Sequence, residues 1–206
     1  DRELPDQFKQ IKGVNKDNIH AFMAMKMEIY AAQVDRMDQG IGRILAALEK
    51  HGIGDNTMVV FLSDNGGCSE YGIYGGVMGP KTFNTFEDNG GPKSFDSYGE
   101  GWAGASNTPF RYYKHDCHEG GIATPMIVRW PAKAKPDGVY RKQLGHIIDF
   151  MPTFIEAAGG KYPTQHADTK ILPMEGASLI PAITGNTPLG RDIVCWEHHG
   201  NRAIRK

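Results

Sequence analysis

The chain has 206 residues, 40% of them hydrophobic and 23% charged, which is the composition of a globular protein long enough to bury a core. Its 23 Lys and Arg against 24 Asp and Glu leave a net charge of −1, with no basic stripe for nucleic acid and no Lys/Arg run for a membrane surface. No uninterrupted apolar run approaches the ~20 residues that cross a bilayer. The three cysteines, Cys68, Cys117 and Cys195, are too few and too far apart for a disulfide framework, and they leave the compartment undetermined. The chain opens at Asp1 without Met or a signal-like segment and ends at Lys206 in a strand-like run. The expectation is a piece of something longer.

Residues 1–16 are polar, carry Pro5 and Gly13, and read as an extended lead-in. Asp17 or Asn18 can cap a helix that runs to His51. Val34, Met37, Ile41, Ile44, Leu45 and Leu48 form its apolar stripe, and Gly52 is its stop. Met23, Met25 and Met27 read as adaptable packing, and His20 as a neighbour of the cap. Thr57–Asp64 is apolar on both faces and reads as a buried, parallel strand. Residues 66–109 are a long glycine-rich loop studded with aromatics, among them Tyr71, Tyr74, Trp102 and Tyr98. A loop of that length in a compact domain is functional or disordered, and the aromatics favour a packed one. Pro125–Trp130 is a second buried strand, followed by basic, turn-like residues 132–143. His146–Ile148 reads as a short strand, Asp149 with Pro152 as the start of a helix to Ala158, and Gly176–Ile183 as another helix. Asp192–Glu197 and Arg202–Lys206 read as strands around a His198–Asn201 turn. No internal repeat is present.

Two places carry chemistry. Asp64 and Asn65 stand at the carboxyl end of the first buried strand, where open α/β sheets bind ligands. A carboxylate beside a carboxamide offers hard oxygen donors to Ca²⁺ or Mg²⁺. An Asx turn explains the same Asp-Asn-Gly and is the stronger reading of the tripeptide alone. The second place is RYYKHDCHEGG, Arg111–Gly121. His115, Cys117 and His118 invite a Zn²⁺ reading, but they are crowded into four positions without a matching second pair. His198 and His199 are poor partners because adjacent side chains diverge. An anion site asks less: Lys114 is a compact charge on a flexible stem, suited to a tetrahedral oxyanion. The competing explanation is a solvated loop lysine.

Four blocks taken together resemble the sulfatase family, in its arylsulfatase-like branch, within the alkaline phosphatase superfamily. They are Tyr30–Gly67, Ser97–Pro131, His146–Gly159 and WEHHGNRAIR, Trp196–Arg205. They follow the family's order and cover most of the chain. The resemblance implies an alkaline-phosphatase-like α/β fold: a mixed, largely parallel sheet flanked by helices, here incomplete. Residues 1–190 would be the C-terminal part of the catalytic domain, with 66–109 as an active-site loop. Residues 191–206 would begin a small C-terminal antiparallel subdomain.

The resemblance also implies roles. Asp64 and Asn65 match the family's second pair of Ca²⁺ ligands, and Lys114 matches the lysine that binds the sulfate ester and assists the leaving oxygen. Glu119, Gly120 and Gly121 match a structural turn, Asp35 and Asp38 match helix positions, and His115 and His118 receive no catalytic role. The family's formylglycine nucleophile arises in a Cys/Ser-x-Pro-x-Arg motif. Neither Cys68, Cys117 nor Cys195 begins one. That motif and the first pair of metal-binding aspartates belong to an N-terminal half, which becomes the expected partner, alongside a sulfated small molecule or carbohydrate as substrate. The expected reaction of the complete enzyme is sulfate-ester hydrolysis, with the isolated chain inactive. The rival readings are a non-catalytic binding or assembly module of the same fold and a phosphoesterase of the same superfamily. The resemblance implies a periplasmic, secreted or lysosomal location, and the sequence does not choose among these.

Overall fold

The computed structural model describes residues 3–4, 6–9, 11–78, 85–134, 140–185 and 187–206. Residues 79–84 of the glycine-rich segment and 135–139 of the basic turn region lie outside them. The helices are α1 (Asp6–Lys9), α2 (Ile19–Lys50), α3 (Gly99–Ser106), α4 (Glu119–Ile122), α5 (Phe150–Ala157) and α6 (Ile180–Gly185). The strands are β1 (Val59–Leu62), β2 (Val77–Met78), β3 (Phe95–Asp96), β4 (Met126–Arg129), β5 (Gln165–His166), β6 (Thr169–Lys170), β7 (Val194–His198) and β8 (Asn201–Arg205). They pair as β1-β4, β2-β3, β5-β6 and β7-β8. Helices and strands of an α/β fold are therefore present. Among the described residues, the large parallel sheet expected from the sequence is not assembled.

The chain divides into two compact units. The first contains residues 1–47, 62–126 and 197–203. Its core is built on the segment expected to be an extended lead-in: Phe8, Ile11, Val14 and Phe22 are buried together, with Leu4, Ile19, Met23, Tyr74 and Phe86 packed around them. Phe8 meets Phe22 and Tyr74 edge to face, at centroid distances of 5.8 and 5.4 Å. Polar residues dominate that segment by count, but three apolar side chains spaced three apart suffice to bury it. Asn18 does not cap α2. Its side chain faces backward, accepting from Asn15 N and donating to Gly13 O. Lys26 is buried on α2 and donates to Asp96, Tyr74 O and Ser97 O at 2.9–3.0 Å. The stretch expected to be all loop contains α3, whose Ala103 is fully buried and whose Trp102 Nε1 donates to Met23 O. Glycine and alanine give no hydrophobic period, so packing rather than pattern makes this helix.

The second unit contains residues 48–61, 127–196 and 204–206. Here α2 ends as expected. Gly52 adopts φ +67°, Gly52 N donates to Glu49 O and Ile53 N to Leu48 O, the paired bonds of a Schellman stop. His146–Ile148 is not a strand. Residues 147–149 form a 3-10 turn in which His146 and Asp149 cap each other, because the Asp149 carboxylate bonds back to His146 N at 2.7 Å. The helix expected at Gly176 starts at Ile180. Gly176 stands at φ +87°, and Ala177 N is taken by Asp149. Trp130, Leu179, Ala182 and Val194 are buried.

Several apolar faces are uncovered. The expected stripe of α2 leaves Val34, Met37 and Ile44 exposed, and neither β1 nor β4 is the fully buried strand the sequence suggests, since Phe61, Met126 and Ile127 are exposed. Among the described residues each of these strands has a single neighbour in its sheet, while its composition suits cover on both faces.

Candidate active site

The site lies in the first unit, at the end of β1. Asp64 is exposed and Asn65 half-buried. The chain bends at residues 64–66, but without the bond of an Asx turn, which reaches two residues on: Asp64 Oδ1 accepts from the adjacent Asn65 N at 3.0 Å, and Asn65 Nδ2 donates to Gly66 O at 2.9 Å. These bonds use one carboxylate oxygen and the amide nitrogen. The second Asp64 oxygen and the Asn65 carbonyl oxygen are the donors that could meet a cation, and both are hard.

The loop carrying Lys114 is locked to this turn through backbone. Gly66 N donates to Gly121 O at 3.1 Å and Lys114 N to Gly67 O at 3.0 Å. A Cβ on Gly66 would stand 1.7 Å from Gly120 O, and one on Gly120 would stand 1.9 Å from Tyr112 O. Only glycine permits this approach at either position. Asn107 clamps the same junction: its Oδ1 accepts from Gly67 N at 3.0 Å and its Nδ2 donates to Tyr112 O at 2.9 Å. The turn read as structural at Glu119–Gly121 is therefore the contact that brings Lys114 to Asp64.

Lys114 is half-buried, and its Nζ lies 2.6 Å from Glu70 Oε1. That hydrogen bond, with lesser help from the charges of Glu70, Cys68 and Asp64, raises the lysine pKa. Glu70 is held below the usual carboxylate range, by its bond from Cys68 first and then by Lys114. The Cys68 thiol is pushed up, by burial and by that same bond to Glu70, so it is a weak nucleophile.

Neither Glu70 nor Asn107 stands out in the sequence. A lone glutamate after a glycine pair carries no spacing signal, and an asparagine before a proline-containing turn reads as turn chemistry. The histidines depart from expectation. His198 and His199 do not diverge but converge with His115, one ring nitrogen from each lying within 4.8 Å of the others. Alternation of side chains holds only for extended backbone, and His199 has φ +49°. His118 leaves this group and packs on Tyr112 at 4.7 Å. Cys117 Sγ points to Asn201 O at 3.5 Å. Trp102 of the glycine-rich segment donates its Nε1–H to Met23 O.

Comparison with known proteins points to one family. A family model described as Sulfatase matches residues 1–160. An uncharacterised sulfatase of Schizosaccharomyces pombe is 35% identical over 90% of this chain and 35% of its own length. An arylsulfatase of Klebsiella aerogenes is 35% identical over 77% of this chain and 35% of its own. A sulfatase of Formosa agariphila is 35% identical over 85% of this chain and 27% of its own. The chain thus spans about a third of the length of these curated relatives. A solved structure described under glycosaminoglycan metabolism by Bacteroides thetaiotaomicron aligns with 82% of this chain and 30% of its own, at TM-score 0.50 and 24% identity, and speaks for the fold alone. With the family model covering most of its residues and the Asp-Asn-Gly and Lys-to-Glu-Gly-Gly segments side by side, the chain belongs to the sulfatase family.

Proposed function

We propose that this chain contributes part of a sulfate-ester-hydrolysing site, with Asp64 and Asn65 as ligands of one Ca²⁺ and Lys114 as the cation that holds the sulfate group. The observation that supports this reading is the backbone lock between the two loops, across which Lys114 feels the charge of Asp64. The donor set suits a hard dication, but two side chains fall short of the roughly six to eight oxygens that Ca²⁺ takes. The remaining ligands and the nucleophile come from chain outside these 206 residues, which contain no Cys/Ser-x-Pro-x-Arg segment. By resemblance that nucleophile is a formylglycine.

When bound, Ca²⁺ supplies neutralisation of negative charge on the sulfate oxygens and the nucleophile. Lys114 supplies a second positive charge. With one N–H given to Glu70, the ammonium has two more for an oxyanion. A lysine is charged at neutral pH, and the bond to Glu70 makes Lys114 a more reluctant acid still, so its contribution is charge stabilisation at the sulfate and the departing oxygen more than proton donation. Glu70 positions Lys114, and Asn107 positions the loop that carries it. The substrate class is a sulfated small molecule or carbohydrate. The relatives' names range over aryl, steryl and N-acetylgalactosamine sulfates, which supports the ester class without choosing within it.

The test uses the full-length protein. Lys114→Ala should lower kcat/KM on an aryl sulfate by about 10²–10³-fold with the circular dichroism spectrum unchanged. Activity within a few-fold of wild type removes Lys114 from this role. Asp64→Ala should weaken Ca²⁺ binding measured by calorimetry, independently of turnover. A preference for phosphate over sulfate esters would overturn the assignment in favour of a phosphoesterase.

A further inference from the structure

We infer that His115, His198 and His199 form a binding site for a borderline transition-metal dication such as Zn²⁺, separate from the Asp64–Asn65 oxygen site. His115 Nδ1 lies 3.1 Å from His198 Nε2. The His198 and His199 rings are 4.3 Å apart and roughly perpendicular, and the His115 and His199 rings are 6.5 Å apart. One nitrogen from each ring falls within 4.8 Å of the other two. In a tetrahedral zinc site with Zn–N near 2.0–2.1 Å, ligand nitrogens stand about 3.3 Å apart. One pair is already at that spacing, and small rotations of exposed rings bring in the third.

The backbone is shaped for this convergence. β7 and β8 are joined by His199-Gly200, with φ +49° and +82°. Two consecutive left-handed residues make the type I′ turn, where Asn-Gly is favoured. A histidine at the first position bears a conformational cost that asparagine largely avoids. His115 also has positive φ, +80°. Two of the three imidazoles thus sit on strained backbone, and that conformation turns their rings toward one point. Cys117 Sγ against Asn201 O at 3.5 Å holds the same loop to the same hairpin.

The surroundings match a metal-bound imidazole. His115 Nδ1 faces His198, while its Nε2 faces Glu70 Oε1 at 3.7 Å. That separation is longer than a hydrogen bond, and it sets a carboxylate on the side of the ring where an outer-shell partner of a ligating histidine stands. Three imidazoles and no oxygen donor select against Ca²⁺ and Mg²⁺. All three residues are exposed, so a fourth coordination position is open to water or an anionic group.

The experiment is titration of chelator-treated, full-length protein with Zn²⁺ by calorimetry and with Co²⁺ by visible absorption. One equivalent should bind, with the intense visible bands of tetrahedral Co²⁺, and excess Ca²⁺ should not displace it. His199→Asn keeps the residue the turn prefers, so the hairpin survives. It should nonetheless weaken Zn²⁺ binding on the order of tenfold or more, as should His198→Gln. Asp64→Ala should leave Zn²⁺ binding unchanged. Absence of stoichiometric binding, affinity untouched by both histidine substitutions, or loss of Zn²⁺ binding in Asp64→Ala would each overturn the assignment.

Discussion

Lys114 Nζ rests 2.6 Å from Glu70 Oε1. The lysine assigned to the sulfate is therefore already paired with a carboxylate from the glycine-rich segment, and an incoming oxyanion meets Glu70's charge as well as Lys114's. Both side chains are about a third exposed, so the repulsion is screened: two like charges about 4 Å apart in a water-like medium cost about 1 kcal/mol. Glu70→Gln in the full-length protein should tighten inhibition by inorganic sulfate by about fivefold. Weaker inhibition would mean that the positioning of Lys114 by Glu70 outweighs its competing charge.

The approach of the Gly66 turn to the Gly120 turn makes a second prediction. A Cβ on Gly120 would stand 1.9 Å from Tyr112 O and 2.5 Å from Arg111 O. Backbone, not a flexible side chain, would have to give way. Gly120→Ala should cost about 2–4 kcal/mol of stability and shift the denaturation midpoint accordingly. Gly101→Ala is the internal control. Gly101 lies within α3, and a Cβ there meets nothing within 4 Å, so that change should stabilise by about 0.5–1 kcal/mol. Equal effects from the two substitutions would show that the loop contact is not tight.

This contact also marks where sequence reading stops. β1, the long helix α2, its Gly52 stop and the placement of Asp64 and Asn65 at a strand end are local patterns, legible from apolar runs and turn residues. Lys114 is singled out only by the resemblance of its neighbours, which says nothing of what its side chain touches. The partners are not legible. Glu70 reaches Lys114, and Asn107 reaches Gly67, through folding that no local period encodes. α3 was hidden because glycine and alanine make no stripe, and the turn at 147–149 because three apolar residues suit a strand equally well. The convergence of His198 and His199 is equally hidden, because adjacent side chains diverge in extended backbone and meet here only through the positive φ of His199.

Acid sensitivity follows from Asp149. Burial pushes its carboxyl up, but the Arg191 guanidinium and the N–H groups of Ala177 and His146 outweigh that and hold it below its ordinary value of 3.8. The folded state thus releases this proton more readily than the unfolded chain. The stabilisation is fully present above about pH 5 and is lost as pH falls through 3.8 toward the lower folded value. Stability of the wild-type protein should decline over that window. In Asp149→Asn the decline should be shallower by up to one proton, about 1.4 kcal/mol per pH unit, while stability at pH 7 falls by about 3–5 kcal/mol because Arg191 loses its buried partner. Urea unfolding at pH 3, 4 and 7 measures both. An unchanged acid slope in the variant would move the titrating group elsewhere.

Lys26 and Asp96 pose the opposite case. Both are nearly inaccessible, with side-chain exposures of 1% and 9%. Burial lowers the lysine pKa and raises that of the aspartate, each against the pull of its partner. The ammonium is satisfied by Asp96 and by two carbonyls, and it lies over the Phe8 and Phe22 rings at 5.5 and 5.3 Å. The pair is thus costly to bury and more costly to break. Lys26→Met would leave a buried carboxylate without its counter-charge, and stability should fall by about 3–5 kcal/mol. Adding Asp96→Asn removes the stranded charge and should recover most of that loss, since a neutral amide is far cheaper to bury than an ion. Urea unfolding of the two single variants and the double variant measures the coupling. Strict additivity would show that the two charges do not sense each other, and that the first unit holds Lys26 through the carbonyls of Tyr74 and Ser97 alone.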